Sequence, residues 1–193
     1  GASGCAKTTL LNLIATIDKP TNGTIRISGQ NIVDISDEAT AEFRRRHLGF
    51  VFQEYNLLEI LTIYENIALA LTMKEVSKES IRPTIQNLSE KLDISAILDK
   101  FPYEVSGGQR QRCACARAIV GNPDIILADE PTGALVSHAA RQLLDTLAML
   151  CREYSATILM ATHDVMAASY CDRILFMKDG EIKAALNRKQ ENK

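Results

Sequence analysis

Apolar residues recur along the chain at two spacings, and these spacings predict strands that alternate with helices. Short apolar or alternating runs are typical of strands, and they lie at 25–27, 49–53, 125–129, 156–161 and 173–177. Longer runs with helical spacing lie at 8–17, 36–46, 106–120 and 137–153, with a short helix after His163. The alternation predicts an α/β fold in which a mostly parallel sheet carries helices on both faces.

The pattern changes over residues 56–110, where it predicts an all-helical insertion. Thr62 and Glu65 have the spacing of a capping box before the apolar run IALAL. The stretch 78–92 then carries apolar residues at helical spacing, namely Ile81, Ile85, Leu88 and Leu92. We therefore expect one domain over 1–193, with a helical subdomain at 56–110 inserted in the α/β core.

Composition narrows the classes of function. The formal net charge is −2, which argues against nucleic acid or an anionic membrane as the main partner. No stretch without Asp, Glu, Lys or Arg exceeds ten residues, whereas a membrane span needs about 20 apolar residues. The five cysteines form no zinc-like spacing, which favours free thiols in a reducing cytoplasm.

The first eight residues, GASGCAKT, nearly fit the phosphate-binding pattern G-x-x-x-x-G-K-[ST]. In such a loop, backbone N–H groups and a helix N-terminus hold phosphate oxygens. Lys7 would reach the terminal phosphates, and the Thr8 hydroxyl would ligate Mg²⁺. Ala6 departs from the pattern, which has glycine there. The alternative is a small-residue turn before a helix.

The run IILADE at 125–130 is an apolar strand that ends in two acids. Asp129 would hold a metal ion, and Glu130 would polarise an attacking water. The alternative is a strand followed by a solvated turn.

The segment VSGGQ at 105–109 opens a predicted helix. Ser106 would cap the helix, and Gly107 and Gly108 would let backbone N–H groups approach an anion. An ordinary capped helix explains the serine but not the two glycines beside Gln109.

These motifs occur in one order: phosphate loop, a glutamine before the helical insertion, SGGQ, DEPTG and THD. In that order they resemble the nucleotide-binding domain of ABC transporters, a P-loop NTPase, over essentially the whole chain. The segments FRRRHLGFVFQEYNLLEILTIYENIALAL and DEPTGAL resemble one subgroup more closely. That subgroup works with macrolide-exporter, lipoprotein-releasing and bacitracin-type antimicrobial-peptide permeases, and the peptide-resistance branch is the most similar.

The resemblance implies ATP and Mg²⁺ as cofactors and assigns roles by matching position. The implied catalytic residues are Glu130, His163 and Gln53. The implied metal-binding residues are Thr8, Gln53 and Asp129. The implied nucleotide-binding residues are Gly1, Ser3, Gly4, Cys5, Ala6, Lys7, Thr8 and Thr9, with Ser106, Gly107, Gly108 and Gln109 acting on the ATP held by another copy.

The resemblance also implies partners and a location. We expect an ATPase that pairs with a second copy of itself and powers an integral-membrane permease from the cytoplasmic face of the membrane, without binding nucleic acid. The substrate would be an antimicrobial peptide, an antibiotic or a lipoprotein. One alternative is a degenerate subunit with little ATPase activity, which Ala6 and Val136 favour because the family has Gly and Asp there. Another is a soluble ABC ATPase outside transport, which the short segment from Gln53 to Ser106 disfavours.

The chain opens inside a predicted functional loop, without an initiator Met. In the family, a strand and an aromatic residue that stacks on adenine precede this loop. We therefore expect an N-terminally truncated fragment that binds ATP poorly and is poorly active when isolated.

Overall fold

The computed structural model describes residues 6–52, 54–133 and 135–188. The helices are α1 (Lys7–Ile14), α2 (Asp37–His47), α3 (Ile63–Met73), α4 (Lys78–Lys91), α5 (Gly107–Ile119), α6 (Ser137–Tyr154) and α7 (Val165–Ser169). The strands are β1 (Arg26–Ile27), β2 (Gln30–Asn31), β3 (Leu48–Phe52), β4 (Ile125–Asp129), β5 (Ile158–Ala161), β6 (Arg173–Lys178) and β7 (Glu181–Asn187). Two short 3₁₀ helices span Ser95–Ile97 and Pro102–Glu104.

The central sheet is parallel and has the strand order β3–β4–β5. Its last paired positions are Phe52, Asp129 and Ala161, with Asp129 between the other two. The carboxyl ends of the three strands therefore lie side by side at one edge of the sheet. This parallel sheet confirms the α/β fold predicted from the alternating pattern.

Successive residues of β4 belong to two different cores, because side chains alternate between the faces of a strand. Ile126 and Ala128 pack in the core that contains the buried residues of α3, α4, α5 and α6. Leu127 packs in the other core, with Leu11 of α1 and Phe43 of α2. Helices thus cover both faces of the sheet, as predicted.

A close approach fixes α5 against β3. A Cβ atom added to Gly49 of β3 would lie 2.4 Å from the Ala118 backbone oxygen of α5. Real Cβ atoms do not come so near, so a side chain here would force the helix off the strand. The position of α5 matters because its first turn carries the SGGQ motif.

Between β3 and α5, the described residues form only helices and loops. Their buried side chains share one core with α5, the sheet and α6 and do not form a separate one; they include Ile63, Ile67, Leu71, Ile81, Ile85 and Leu88. Residue 110, where we predicted that the inserted segment ends, lies inside α5. The subdomain boundaries 56–110 and the single domain over 1–193 stay predictions.

Side-chain caps begin two of the helices in the first half of the chain, α2 and α3. The Ser36 hydroxyl accepts a hydrogen bond from the Ala39 N–H at 3.2 Å. The Thr62 hydroxyl accepts from the Glu65 N–H at 3.2 Å, while the Glu65 carboxylate accepts from the Thr62 N–H at 2.8 Å. This reciprocal pair confirms the predicted capping box.

Two antiparallel hairpins stand apart from the parallel sheet. The strands β1 and β2 form one, and β6 and β7 form the other. The strand β7 was not among the strands that the sequence pattern predicted. All seven residues of β7 are exposed.

Within the described ranges, we find no helix with the length and apolar character of a membrane span. Cys113, Cys115, Cys151 and Cys171 are free thiols. Burial raises the pKa of both Cys113 and Cys115 to about 12. These two thiols are therefore neutral near physiological pH and poor nucleophiles.

Candidate functional site

The first turn of α1 holds part of the predicted phosphate loop. Ala6 is the N-cap and adopts the left-handed conformation, with φ 61° and ψ 20°. Lys7, Thr8 and Thr9 follow in the first turn, which contains no acidic residue. The N–H groups and the dipole at the start of a helix both favour an anion. The other predicted loop residues, Gly1, Ser3, Gly4 and Cys5, lie outside the described residues.

The carboxyl edge of the central sheet brings the predicted acids together. Asp129 ends β4, and its Oδ1 atom is buried without a hydrogen-bond partner. Such an orphaned carboxylate oxygen is costly unless something satisfies it. The predicted Gln53 directly follows β3, but it lies outside the described residues.

Glu130 lies between residues from two other elements. Its Oε2 atom is 2.9 Å from His163 Nδ1 and 3.4 Å from the His163 main-chain N–H donor. Its Oε1 atom is 3.9 Å from Lys7 Nζ. The Glu130 and Lys7 side chains are 23% and 15% exposed, whereas His163 is 68% exposed. Three predicted site residues therefore meet in one open-sided cluster.

The backbone of Glu130 is left-handed, with φ 43°, which is uncommon for a residue other than glycine. Its N–H nevertheless donates to the Ala161 oxygen at 2.8 Å and extends the pairing with β5 by one residue. Its own oxygen accepts from the Gly133 N–H at 2.9 Å. Strained backbone held by neighbours is characteristic of functional sites.

A second link, which the sequence did not predict, joins the loops that carry Glu130 and His163. The buried Thr132 donates its hydroxyl hydrogen to Asp164 Oδ2 at 3.3 Å. Asp164 is also the N-cap of α7, and its Oδ1 accepts from the Met166 N–H at 2.8 Å. An Asp directly before a short helix was a cap signal in the sequence, but its Thr132 partner is not local.

The SGGQ motif forms a capping box at the start of α5. The Ser106 hydroxyl accepts from the Gln109 N–H at 3.3 Å, and Gln109 Oε1 accepts from the Ser106 N–H at 2.9 Å. The predicted cap at Ser106 is thus confirmed. Among the residues that the structure describes, no hydrogen bond or ion pair joins Ser106 or Gln109 to Glu130 or His163 of the same chain.

The packing of α5 does not itself require the two glycines. A Cβ atom on Gly107 would meet its nearest neighbour, the Tyr55 hydroxyl, at 3.4 Å, and one on Gly108 would meet nothing nearer than 3.9 Å. Both distances are ordinary van der Waals contacts. The packing of the described residues would therefore tolerate a Cβ atom at either position.

Comparison with known proteins agrees with this arrangement. The model of the ABC transporter family matches residues 1–133. The chain is 54% identical to the ABC transporter ATP-binding protein YvcR of Bacillus subtilis, over 97% of this chain and 73% of that protein. It is 48% identical to the bacitracin export ATP-binding protein BceA of Halalkalibacterium halodurans, over 100% of this chain and 76% of that protein.

A solved structure shows the same fold. The ATP-binding cassette MJ0796, captured as a dimer in a post-hydrolysis state with ADP and Pi, superposes with a TM-score of 0.83. It is 38% identical, over 97% of this chain and 82% of that one. The family match covers well over half of the chain. The chain therefore belongs to the ABC transporter family, as an ATP-binding and ATP-hydrolysing subunit that powers a membrane transporter.

Proposed function

We propose that two copies of the chain enclose two ATP molecules. Each ATP would lie between the loop Gly1–Thr8 of one copy and the segment Ser106–Gln109 of the other. The two glycines support this arrangement, because the packing of the chain does not require them and a missing side chain suits close approach by a ligand. The dimeric form of the similar cassette MJ0796 supports it as well.

The observation that carries the proposal is the contact of Glu130 with both Lys7 and His163. In the proposed reaction, a water oxygen attacks the γ-phosphorus of ATP, and the bond to the β–γ bridging oxygen breaks as ADP leaves. Glu130 accepts a proton from that water. Lys7 offsets charge on the phosphate oxygens, and His163 holds the Glu130 carboxylate in place. Positioning and charge neutralisation are the main needs of phosphoryl transfer.

The residues around Asp129 fit a magnesium ion. The buried Oδ1 atom of Asp129 lacks a partner, and carboxylate and hydroxyl oxygens are ligands that Mg²⁺ accepts. Asp129, Thr8 and Gln53 would hold the ion. Within the described ranges, no three His, Cys, Asp or Glu side chains form a metal-binding group, and Mg²⁺ commonly binds through one or two carboxylates together with water and phosphate. When bound, it would neutralise charge on the phosphates.

The proposed partner is an integral-membrane permease, which would hold the subunit at the cytoplasmic face of the membrane. We assign its substrate to the class of antimicrobial peptides, antibiotics and lipoproteins. Similarity to a bacitracin export subunit over the whole chain supports this class. The test is co-expression with a bacitracin-export permease in a susceptible host, comparing bacitracin resistance between the unmodified subunit and Glu130→Gln. Equal resistance in the two strains would contradict the assignment.

The ATPase part is tested in the full-length protein with the Glu130→Gln variant, which keeps the shape of the side chain but cannot take a proton. Loss of a positioned base costs about 10²- to 10⁴-fold in rate. We expect turnover to stop and an ATP-bound dimer to accumulate, visible by size-exclusion chromatography with light scattering. Glu38→Gln, at an exposed position in α2, is the matched control and should behave as the parent. Unchanged turnover in Glu130→Gln would exclude Glu130 as the base.

A further inference from the structure

The segment that follows β3 is fastened to α5 by an arginine. Arg117 Nη1 donates to the Asn56 backbone oxygen at 2.6 Å, and Arg117 Nη2 donates to the Tyr55 oxygen at 3.0 Å. One guanidinium thus bridges two consecutive main-chain carbonyls 61 and 62 positions away in the sequence. Its planar fork is suited to such paired acceptors.

The side chain of Tyr55 reaches the opposite end of the same helix. The Arg110 guanidinium carbon lies 5.7 Å from the centre of the Tyr55 ring. The Tyr55 hydroxyl lies 3.4 Å from the position that a Cβ on Gly107 would occupy. Gly107 and Arg117 are ten residues apart, which is about 15 Å along a helix. The segment therefore touches α5 both at its first turn and near its end.

The backbone between these contacts is held in an unfavourable conformation. Tyr55 and Asn56 are both left-handed, with φ of 62° and 48°. Two consecutive residues other than glycine rarely adopt this region unless their surroundings impose it. The two bonds from Arg117 go to the carbonyls of these two residues, so they stabilise the turn at the point where it needs support.

We propose that Arg117, Arg110 and Tyr55 are positioning residues that couple the segment after Gln53 to the first turn of α5. A displacement of residues 54–56 would then move Ser106–Gln109 as well. This inference rests on the proposed function, because the consequence appears at the ATP held by the other copy. The coupling acts on the dimer, whereas ATP binding by the phosphate loop of the same chain does not depend on it.

The experiment uses Glu130→Gln as the parent, so that ATP-bound dimers accumulate. Arg117→Met and Arg110→Met are added to it singly. Each has a matched control: Lys74→Met removes another cation that bridges two main-chain oxygens, those of Arg46 and Gly121. Arg82→Met removes another arginine stacked on a tyrosine, 5.0 Å from the ring centre of Tyr64.

Three quantities are measured with MgATP as the ligand: ATP affinity at protein concentrations too low for dimers, the ATP concentration that gives half-maximal dimer, and the thermal midpoint. We expect Arg117→Met to raise the half-maximal ATP concentration about tenfold, since hydrogen bonds to a charged group are involved. Arg110→Met should raise it about two- to fivefold. ATP affinity of the monomer should stay within about twofold in both.

The outcomes separate the two proposals. Dimerisation equal to the parent in Arg117→Met and Arg110→Met overturns the coupling alone. The coupling is also overturned if Lys74→Met and Arg82→Met lose as much dimer as Arg117→Met and Arg110→Met, with a similar drop in thermal midpoint. The loss of dimer would then come from general destabilisation. A parent that forms no ATP-bound dimer overturns the proposed function, and the coupling with it.

Discussion

His163 Nδ1 lies 2.9 Å from Glu130 Oε2, and this contact joins the loops that follow two neighbouring parallel strands. The same carboxylate oxygen faces the His163 main-chain N–H at 3.4 Å. Glu130 is therefore held through both the side chain and the backbone of one residue. Because the loops belong to different strands, a shift of either strand would change the position of the carboxylate.

The first prediction concerns this contact. His163→Ala removes one hydrogen bond to a charged group, a change of about 1.5–3 kcal/mol. We expect kcat for ATP hydrolysis to fall about 10- to 100-fold, with ATP affinity of the monomer nearly unchanged. Steady-state kinetics and nucleotide titration measure the two quantities.

If His163 acts through Glu130, the two substitutions should not have additive effects on kcat. Residues that act as a unit have non-additive effects, so Glu130→Gln combined with His163→Ala should be no slower than Glu130→Gln alone. His138→Ala, at an exposed position in α6, is the control and should leave kcat unchanged. Additive losses in the double variant would mean that His163 acts independently of Glu130.

The second prediction concerns the hydrogen bond between Thr132 and Asp164. Thr132→Val keeps the shape of the side chain but removes the hydroxyl that donates at 3.3 Å. Loss of such a bond costs about 0.5–1.5 kcal/mol, or more if the acceptor stays buried. We expect kcat to fall severalfold, because the loops carrying Glu130 and His163 lose a link, while ATP affinity is retained.

Thr132→Ser restores the hydroxyl and should recover most of the lost rate. Thr72→Val provides the stability control, because the Thr72 hydroxyl donates only to Ala68 of its own helix. A serine variant as slow as the valine variant would show that the methyl packing of Thr132 matters and the hydrogen bond does not.

The third prediction concerns Ala6, whose backbone is left-handed, with φ 61°. The conformation costs an L-residue about 1–2 kcal/mol, and glycine avoids this cost but loses about 0.5–1 kcal/mol through entropy. Ala6→Gly should therefore raise the free energy of unfolding by up to about 1 kcal/mol. We take this strain to belong to the fold and not to the ATP complex, so ATP affinity should change by less than about threefold.

Chemical denaturation measures the expected gain in stability, and nucleotide titration measures the expected small change in ATP affinity. The same substitution at Ala15, which is right-handed with φ −70°, should have the opposite sign and destabilise the fold. A large gain in ATP affinity with no gain in stability would mean that the strain develops only when nucleotide binds.

Features that depend on neighbours in the sequence were predictable, because a cap needs only residues within one turn. Ser36, Thr62 and Ser106 all cap the helices that the pattern assigned to them. The family resemblance, carried by the order of the motifs, likewise implied that Glu130 and His163 act at one site.

Features that depend on distant pairing were not predictable in the same way. The strand β7 has apolar residues at alternate positions, Ile182 and Leu186 among them, but it pairs with β6 outside the parallel sheet and its residues are exposed. The bond from Thr132 to Asp164 spans 32 positions and the bridge from Arg117 spans more than 60. Only the folded sheet brings these residues together.

The last prediction concerns Val136, which occupies the N-cap of the 18-residue helix α6. Val136 is 76% exposed and provides no side-chain cap, although its φ of −68° and ψ of 153° suit a capping residue. Val136→Asp would offer an oxygen to the free N–H groups of the first turn and a negative charge to the helix dipole. We expect the free energy of unfolding to rise by about 1 kcal/mol.

The family resemblance implies Asp at this position, and we propose that this Asp would contact the second copy, so Val136→Asp should also raise ATPase activity at saturating ATP. Val136→Ser separates the two effects. Serine caps nearly as well as aspartate, but it carries no charge and is too short for the same contacts with a second copy. We therefore expect both variants to be more stable in chemical denaturation, and only the aspartate variant to be more active. Equal activity in all three proteins would mean that the valine is neutral for cooperation between the two sites. Unchanged stability in both variants would mean that water already accepts hydrogen bonds from the N–H groups in the first turn of α6.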